Sequence, residues 1–89
     1  MSKTIKVFTT TQCVRCTTTK RWLTNRGIEF EVIDVTDKPE LIDSIRQLAT
    51  DKQVAPIMPL VEVHDSMEAE PVQWFDFRVD LLAEHCTAA

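Results

Sequence analysis

The chain has 89 residues, of which 44% are hydrophobic and 27% are charged, and this composition is typical of one small soluble domain. Three cysteines are too few for a disulfide scaffold, and their odd number suits a reducing compartment. No apolar run approaches the roughly 20 residues that cross a bilayer, and residues 1–6 lack the apolar centre of a secretion signal. We therefore expect a single cytoplasmic domain over residues 1–89, with no membrane segment.

The charge is unevenly distributed along the sequence. The net charge at pH 7 is −4, yet residues 1–28 contain six bases and no acid, and the remainder contains all 14 acids and four bases. A basic segment around a reactive cysteine favours its thiolate and steers an acidic partner. The alternative is that these bases form the solvated face of one helix. Nucleic acid is not an expected partner, because the chain as a whole is acidic and the basic segment is short.

The first predicted elements are a strand and a helix that flank a pair of cysteines. Residues 4–8 are β-branched and aromatic in character, which indicates a strand. Cys13-Val14-Arg15-Cys16 follows, and residues 17–26 can form a helix that ends at Gly27. Two cysteines with this spacing at a helix start lie within bridging distance, and the helix N-terminus favours a thiolate. A C-x-x-C beside a β-α-β pattern is typical of a thioredoxin-like redox motif.

The two cysteines are expected to differ in exposure. Leu23 follows Cys16 by seven residues and shares its helix face, which we predict to be buried. Cys13 would then be the exposed, attacking thiol, and Cys16 the resolving thiol that releases a mixed disulfide. The alternatives are two buried structural cysteines or a metal site. A closed zinc site needs four ligands, and the other candidates are scattered along the chain: His64, His85 and Cys86.

Residues 30–35 are predicted to form a second strand, which is followed by a second helix. Asp37 is expected to cap this helix, with Pro39 in its first turn and Glu40 at the capping-box spacing. Apolar residues recur at helical intervals along it and predict a buried stripe: Leu41, Ile42, Ile45, Leu48 and Ala49.

The C-terminal half is predicted to contain a hairpin and a closing helix. Residues 55–59 form an extended approach to a strand over 60–63, residues 64–70 a polar connection, and residues 72–75 a fourth strand. The last helix is expected to start near Asp76, with one apolar stripe formed by Val79, Leu82, Ala83 and Cys86. The order β-α-β-α-β-β-α predicts an α/β fold with helices packed around one sheet.

This order resembles the thioredoxin fold in its short, glutaredoxin-like form. Within that group the chain is most similar to the NrdH-type redoxins. C-V-R-C at residues 13–16, followed by T-x-T-K-R over residues 17–21, resembles their motif region. Gly27-Ile28 and Asp34 stand at the family's spacing from the cysteines, and residues 74–80 fit the family's W-x-x-F-R-x-D pattern.

The resemblance implies a four-stranded mixed sheet packed by three helices. It implies a dithiol electron carrier that accepts electrons from an NADPH-dependent thioredoxin reductase and passes them to ribonucleotide reductase. This chain would be a monomer and would bind no cofactor of its own, because the NADPH and FAD belong to the partner reductase.

The resemblance also implies a cis-proline opposite the cysteines. We assign it to Pro59, which directly precedes the third strand, because choosing Pro56 would place Pro59 inside a strand and remove a donor from the ladder. Met58 and Pro59 would form a wall at which an incoming chain pairs with the Met58 backbone as an added strand. The alternative is an ordinary trans-proline loop.

Four further residues are expected at the partner-binding surface or close to it. The family usually has Lys-Pro where Thr10 and Thr11 stand here, so Arg15 would substitute for that lysine beside the thiolate. The other three would help to recognise the reductase or the acceptor, or else pack in the last turn of the domain: Trp74, Phe77 and Arg78.

Two rival functions follow from departures from this pattern. Glutathione-dependent glutaredoxins resemble one another in a T-V-P turn and a Gly-Gly-x-Asp turn that holds the tripeptide, whereas this chain has one glycine, Gly27. A glutathione-dependent glutaredoxin is therefore disfavoured. The rival of another class is a non-catalytic metal-binding or iron–sulfur-binding module.

Overall fold

A mixed sheet of four strands forms the middle layer of the protein. The computed structural model describes residues 3–65 and 70–86. The observed order β-α-β-α-β-β-α confirms the prediction. The elements are β1 (Lys3–Thr9), α1 (Val14–Asn25), β2 (Glu31–Asp34), α2 (Pro39–Lys52), β3 (Leu60–Asp65), β4 (Val72–Phe75) and α3 (Val79–His85).

Strand β1 is central and pairs on both sides. It runs parallel to β2, with Val7 opposite Val32, and antiparallel to β3, with Val7 also opposite Val61. Strand β4 extends the sheet by pairing antiparallel to β3. The parallel pair is joined through α1, because parallel neighbours need a crossover connection.

Apolar side chains form one core cluster on each face of the sheet. Alternate residues of a strand point to opposite faces, so Val61 and Val63 belong to one cluster and Leu60 to the other. The first cluster is completed by Leu23 of α1, Leu82 of α3 and Cys86, the residue that directly follows α3. The second is completed by Val35 and Phe75 together with two residues of the α2 stripe, Ile45 and Ala49.

Helix α1 depends on packing and on its ends, because it contains three consecutive threonines, which are weak helix formers. One side of the helix is buried, and it carries the side chains of Cys16, Thr19 and Leu23. At its C-terminus the N–H of Gly27 bonds to the carbonyl of Thr24, and the N–H of Ile28 bonds to that of Leu23. This is a Schellman motif. Gly27 has φ +68°, a conformation that glycine adopts without steric cost, so the predicted stop at Gly27 is confirmed.

The start of α2 differs from the prediction. Asp37 does not cap the helix; the N-cap is Lys38, whose side chain makes no capping bond, and Pro39 opens the first turn. A proline at the first helical position restricts the residue before it to non-helical backbone, and this moves the cap to Lys38. The predicted apolar stripe is confirmed, because its five residues are buried or packed against the second core cluster.

The start of α3 was also predicted wrongly. The helix begins at Val79 rather than near Asp76, whose φ of +75° lies in the left-handed region. The inward face therefore centres on Leu82 and Cys86, which are buried, while Val79 is 49% exposed. Ala83 is exposed as well, so the predicted stripe holds for two of its four members.

Strand β3 is longer than predicted. His64 pairs with Thr4 of β1 instead of lying in the connection to β4. Residues 66–69 of that predicted connection lie outside the described residues. None of the helices in the described part of the chain is long and apolar enough to cross a membrane.

The two α3 positions give a direct test of the packing. Leu82→Ala removes a fully buried side chain and should lower the free energy of unfolding by about 3 kcal/mol. Val79→Ala, on the exposed side of the same helix, should change it by less than about 0.5 kcal/mol. Urea denaturation followed by circular dichroism measures both, and equal losses would contradict the placement of this helix.

Candidate active site

The two cysteines lie at the N-terminus of α1, where Cys13 is the N-cap and Cys16 is in the first turn. They form a disulfide with their Cα atoms 5.2 Å apart. The N–H of Cys16 donates to the Sγ of Cys13, with an N···S distance of 3.2 Å. Cys16 is 1% exposed and Cys13 is half-buried, which confirms the predicted difference in exposure. Negative charge on the Cys13 sulfur would therefore lie against the amide end of a helix, where it is stabilised.

The loop before β3 forms one wall of the site. The Met58–Pro59 peptide bond is cis, which confirms the choice of Pro59 over Pro56. The carbonyl oxygen of Met58 lies 3.8 Å from the Sγ of Cys13. Within residues 3–65 and 70–86, the amide N–H of Met58 has no hydrogen-bond partner. A polypeptide segment that reaches Cys13 could pair with this backbone as an added strand.

The segment after β4 forms a second wall through Asp76. The Asp76 N–H donates to the carbonyl of Ile57 at 2.9 Å and to that of Pro59 at 3.0 Å. Its Oδ1 accepts the N–H of Phe77 at 2.7 Å and lies 3.0 Å from the Nε of Arg15. Asp76 thus contacts both the cysteine motif and the cis-proline loop.

The role of Asp76 was missed in the sequence. Residue 76 was assigned only to the start of the last helix, and no spacing rule connects it to Arg15, which is 61 positions away in the chain. The ion pair also changes the expectation for Arg15, because the cation that was to act on the Cys13 thiolate is paired with a carboxylate. Both side chains are partly exposed, at 60% and 36%, so the pair adds little to stability.

The loop before the cysteines is attached to the turn that follows β2. Thr11 donates its N–H to the Oγ1 of Thr36 at 2.9 Å, and the two hydroxyls also lie 2.9 Å apart. Thr36 in turn donates its N–H to Asp34. The hydrogen bonds from the backbone and side chain of Thr36 lower the pKa of the Asp34 carboxyl below its ordinary value. Thr11 therefore fixes the chain just before the motif.

The three predicted recognition residues occupy different environments. Trp74 is 5% exposed within the first core cluster, so the structure assigns it to packing and does not bring it to the surface. Phe77 is half-buried against the same cluster. Arg78 is exposed and forms two hydrogen bonds with Asp80, at 3.2 and 3.0 Å. This pairing raises the pKa of Arg78 and lowers that of Asp80.

A cavity of about 270 Å³ opens beside Met58. Its lining is mainly apolar and comes from α2, from the cis-proline loop and from the residues that directly follow β1 and β2. It contains one cation, Arg46, and includes Thr10, Val35, Ile42, Pro56 and Met58. The cavity leaves room for a side chain beside Met58, whose carbonyl oxygen lies 3.8 Å from the Cys13 sulfur.

The alternative ligand residues for a metal do not converge. His64 bonds to Glu62, and the ring of His85 lies against Trp74. In the described part of the chain, no group of three or more His, Cys, Asp or Glu residues is arranged to hold a metal ion.

Comparison with known proteins agrees with this geometry. The glutaredoxin family model matches residues 5–67. The chain belongs to the glutaredoxin family. It is a thiol–disulfide oxidoreductase with a redox-active cysteine pair, Cys13 and Cys16.

Within the glutaredoxin family, the predicted similarity to NrdH is confirmed. The chain is 32% identical to the glutaredoxin-like protein NrdH of Escherichia coli K12 over 78 residues, which covers 88% of this chain and 83% of NrdH. The structure of NrdH-redoxin from Escherichia coli superimposes with a TM-score of 0.71 at 31% identity, covering 97% of this chain and 99% of that one. Glutaredoxin 1 of Francisella tularensis shares the fold, with a TM-score of 0.63 at 18% identity and coverage of 93% and 94%.

The third cysteine should be chemically silent. Burial raises the pKa of the Cys86 thiol to about 11, so the thiol stays protonated, and a protonated buried thiol is a poor nucleophile. Oxidised native protein at about pH 8 should react slowly with a disulfide reagent such as DTNB. After unfolding in guanidinium, one thiol per chain should react with the reagent. Rapid reaction of the native oxidised protein would contradict the burial of Cys86.

Proposed function

We propose that the protein is a dithiol electron carrier in which Cys13 attacks the substrate disulfide and Cys16 resolves the mixed disulfide. The supporting observation is the asymmetry of the pair. Cys13 is accessible at the helix N-terminus beside Met58, while Cys16 is buried one turn further along. An accessible thiolate is required for attack, and a protected thiol is required for release.

The proposed reaction transfers two electrons through one mixed disulfide. The Cys13 thiolate attacks one sulfur of the acceptor disulfide, whose S–S bond breaks, and the other acceptor sulfur leaves as a thiolate and is protonated. Cys16 then loses its proton and attacks the Cys13 sulfur. The mixed disulfide breaks, the second acceptor thiol is released, and the Cys13–Cys16 disulfide is formed. A dithiol on a reductase returns the carrier to its starting state by the same exchange in reverse.

We assign the electron donor as an NADPH-dependent thioredoxin reductase and the acceptor as ribonucleotide reductase. Two observations support this over a glutathione-dependent role. The related NrdH-redoxin from Escherichia coli is described as having a thioredoxin-like activity profile. In addition, this chain has a single glycine, at the end of α1, and Asp76 occupies the turn after β4. The chain would bind no cofactor and would act as a cytoplasmic monomer.

Partner contact in this proposal centres on Met58 and Pro59. The Met58 backbone would pair with an extended segment of the partner, and the adjoining cavity would accept one of its side chains. Arg15, Phe77 and Arg78 lie on segments at or next to the walls of the site and would contribute to the rim.

A coupled assay distinguishes the two electron donors. With NADPH and a disulfide substrate, the protein should support NADPH oxidation with thioredoxin reductase and show little with glutathione plus glutathione reductase. Glutathione reductase without glutathione is the control for the second arm. Activity only in the presence of glutathione would move the protein to the glutathione-dependent glutaredoxins.

Single cysteine variants test the two proposed roles. Cys13→Ser should abolish turnover, since no attacking thiolate remains. Cys16→Ser should accumulate a mixed disulfide with the acceptor, detectable by mass spectrometry under non-reducing conditions. Cys86→Ala, at the free cysteine, is the matched control and should retain turnover. Full dithiol activity after loss of either motif cysteine would disprove the mechanism.

A further inference from the structure

We propose that Asp76 is a positioning residue that limits the acidity of Cys13 by neutralising Arg15. The inference rests on the proposed role of Cys13 as the attacking thiol. Arg15 lies between the two cysteines, in the first turn of α1, which contains no acidic residue of its own. The carboxylate that pairs with it is supplied by a distant segment of the chain, through Asp76.

The backbone holds Asp76 in position. Its N–H is shared by the carbonyls of Ile57 and Pro59, the two residues that flank Met58, and the Met58 carbonyl oxygen lies 3.8 Å from the Cys13 sulfur. The same Oδ1 that contacts Arg15 also accepts the N–H of Phe77. The carboxylate is therefore anchored at the rim of the site by bonds that do not depend on Arg15.

The sign of the effect follows from the charges. An unpaired Arg15 would add a positive charge to a helix end that already favours an anion, and both would stabilise the Cys13 thiolate. The Asp76 carboxylate offsets the added charge. Removing the carboxylate should increase the thiolate fraction at neutral pH, and removing the guanidinium should decrease it.

Two other cations lie close to this site: Arg78, which is also attracted by the Asp76 carboxylate, and Arg46, which lines the neighbouring cavity. Lys20 lies further along α1, and Asp34 and Lys38 lie at the turn that holds Thr11, with both cations attracting Asp34. Residues 55–59 of the cis-proline loop include no charged side chain. The substitutions below leave all of these groups unchanged.

The substitutions retain the backbone and remove only charge. Asn is one of the residues that tolerate the left-handed conformation observed at position 76, and its side-chain oxygen can still accept the Phe77 N–H, so Asp76→Asn is a conservative change. Arg15→Gln keeps a good helix former. For a partly exposed pair we expect each single change to alter the ratio of thiolate to thiol by about threefold, in opposite directions. The double variant should return close to the starting value.

The measurement is the pH dependence of Cys13 alkylation in the reduced protein, together with ultraviolet absorbance of the thiolate. Asp76→Asn should shift the titration to lower pH and Arg15→Gln to higher pH. The thiol–disulfide equilibrium with a reference dithiol should follow, with the Asp76→Asn protein more oxidising, because its reduced form is stabilised.

The control is Asp51→Asn, which removes the same charge from the last turn of α2, where Asp51 accepts a hydrogen bond from Gln47, and should leave the Cys13 titration unchanged. If Asp76→Asn unfolds, Asp76→Gly suits the same φ and replaces it. Single variants that shift the titration in the same direction, or not at all, would overturn the proposal, as would an equal shift in the control. The titration uses the isolated protein and tests only the effect of Asp76 on Cys13. The coupled assay tests the electron donor, so a negative result in one experiment can be told apart from a negative result in the other.

Discussion

The register of the sheet places every part of the active site at the same end of its strands. Phe8, near the end of β1, lies opposite Leu60, the first residue of β3, and Leu60 lies opposite Phe75, the last residue of β4. The cysteine motif follows β1, the cis-proline loop precedes β3 and Asp76 follows β4, so all three lie next to this row of residues. A shift of the β1–β3 register by one residue would move side chains of one core cluster to the face of the other, so the packing of the core also fixes the geometry of the cysteines.

Much of this arrangement could be predicted from the sequence, because it follows from local patterns. The C-x-x-C before a helix, the apolar stripe of α2 and the position of Pro59 before a strand each depend on residues close together in the chain. The errors have local physical causes too. Pro39 moved the N-cap of α2 to Lys38, and the left-handed Asp76 delayed the start of α3.

The contacts that could not be predicted are those between distant segments. Arg15 was assigned to the thiolate on its position alone, whereas its partner Asp76 is brought to it by the pairing of β4 with β3. For Trp74 the sequence left recognition and packing open, and its burial in the first core cluster favours packing. The composition of the basic N-terminal segment likewise did not show which of its cations have partners. The guanidinium of Arg26 stacks on Trp22, 3.9 Å from the centre of its ring.

The antiparallel course of β3 separates the two ends of the sheet. Strand β3 runs from Leu60, at the end near the cysteines, to Asp65, a span of about 17 Å at the usual rise per residue. The end of β3 at Asp65 and the start of β4 at Val72 therefore lie on the side away from the cysteines. A fluorophore, affinity tag or tether attached at the exposed Glu70 would report on the protein or immobilise it while leaving the cysteine end of the sheet open.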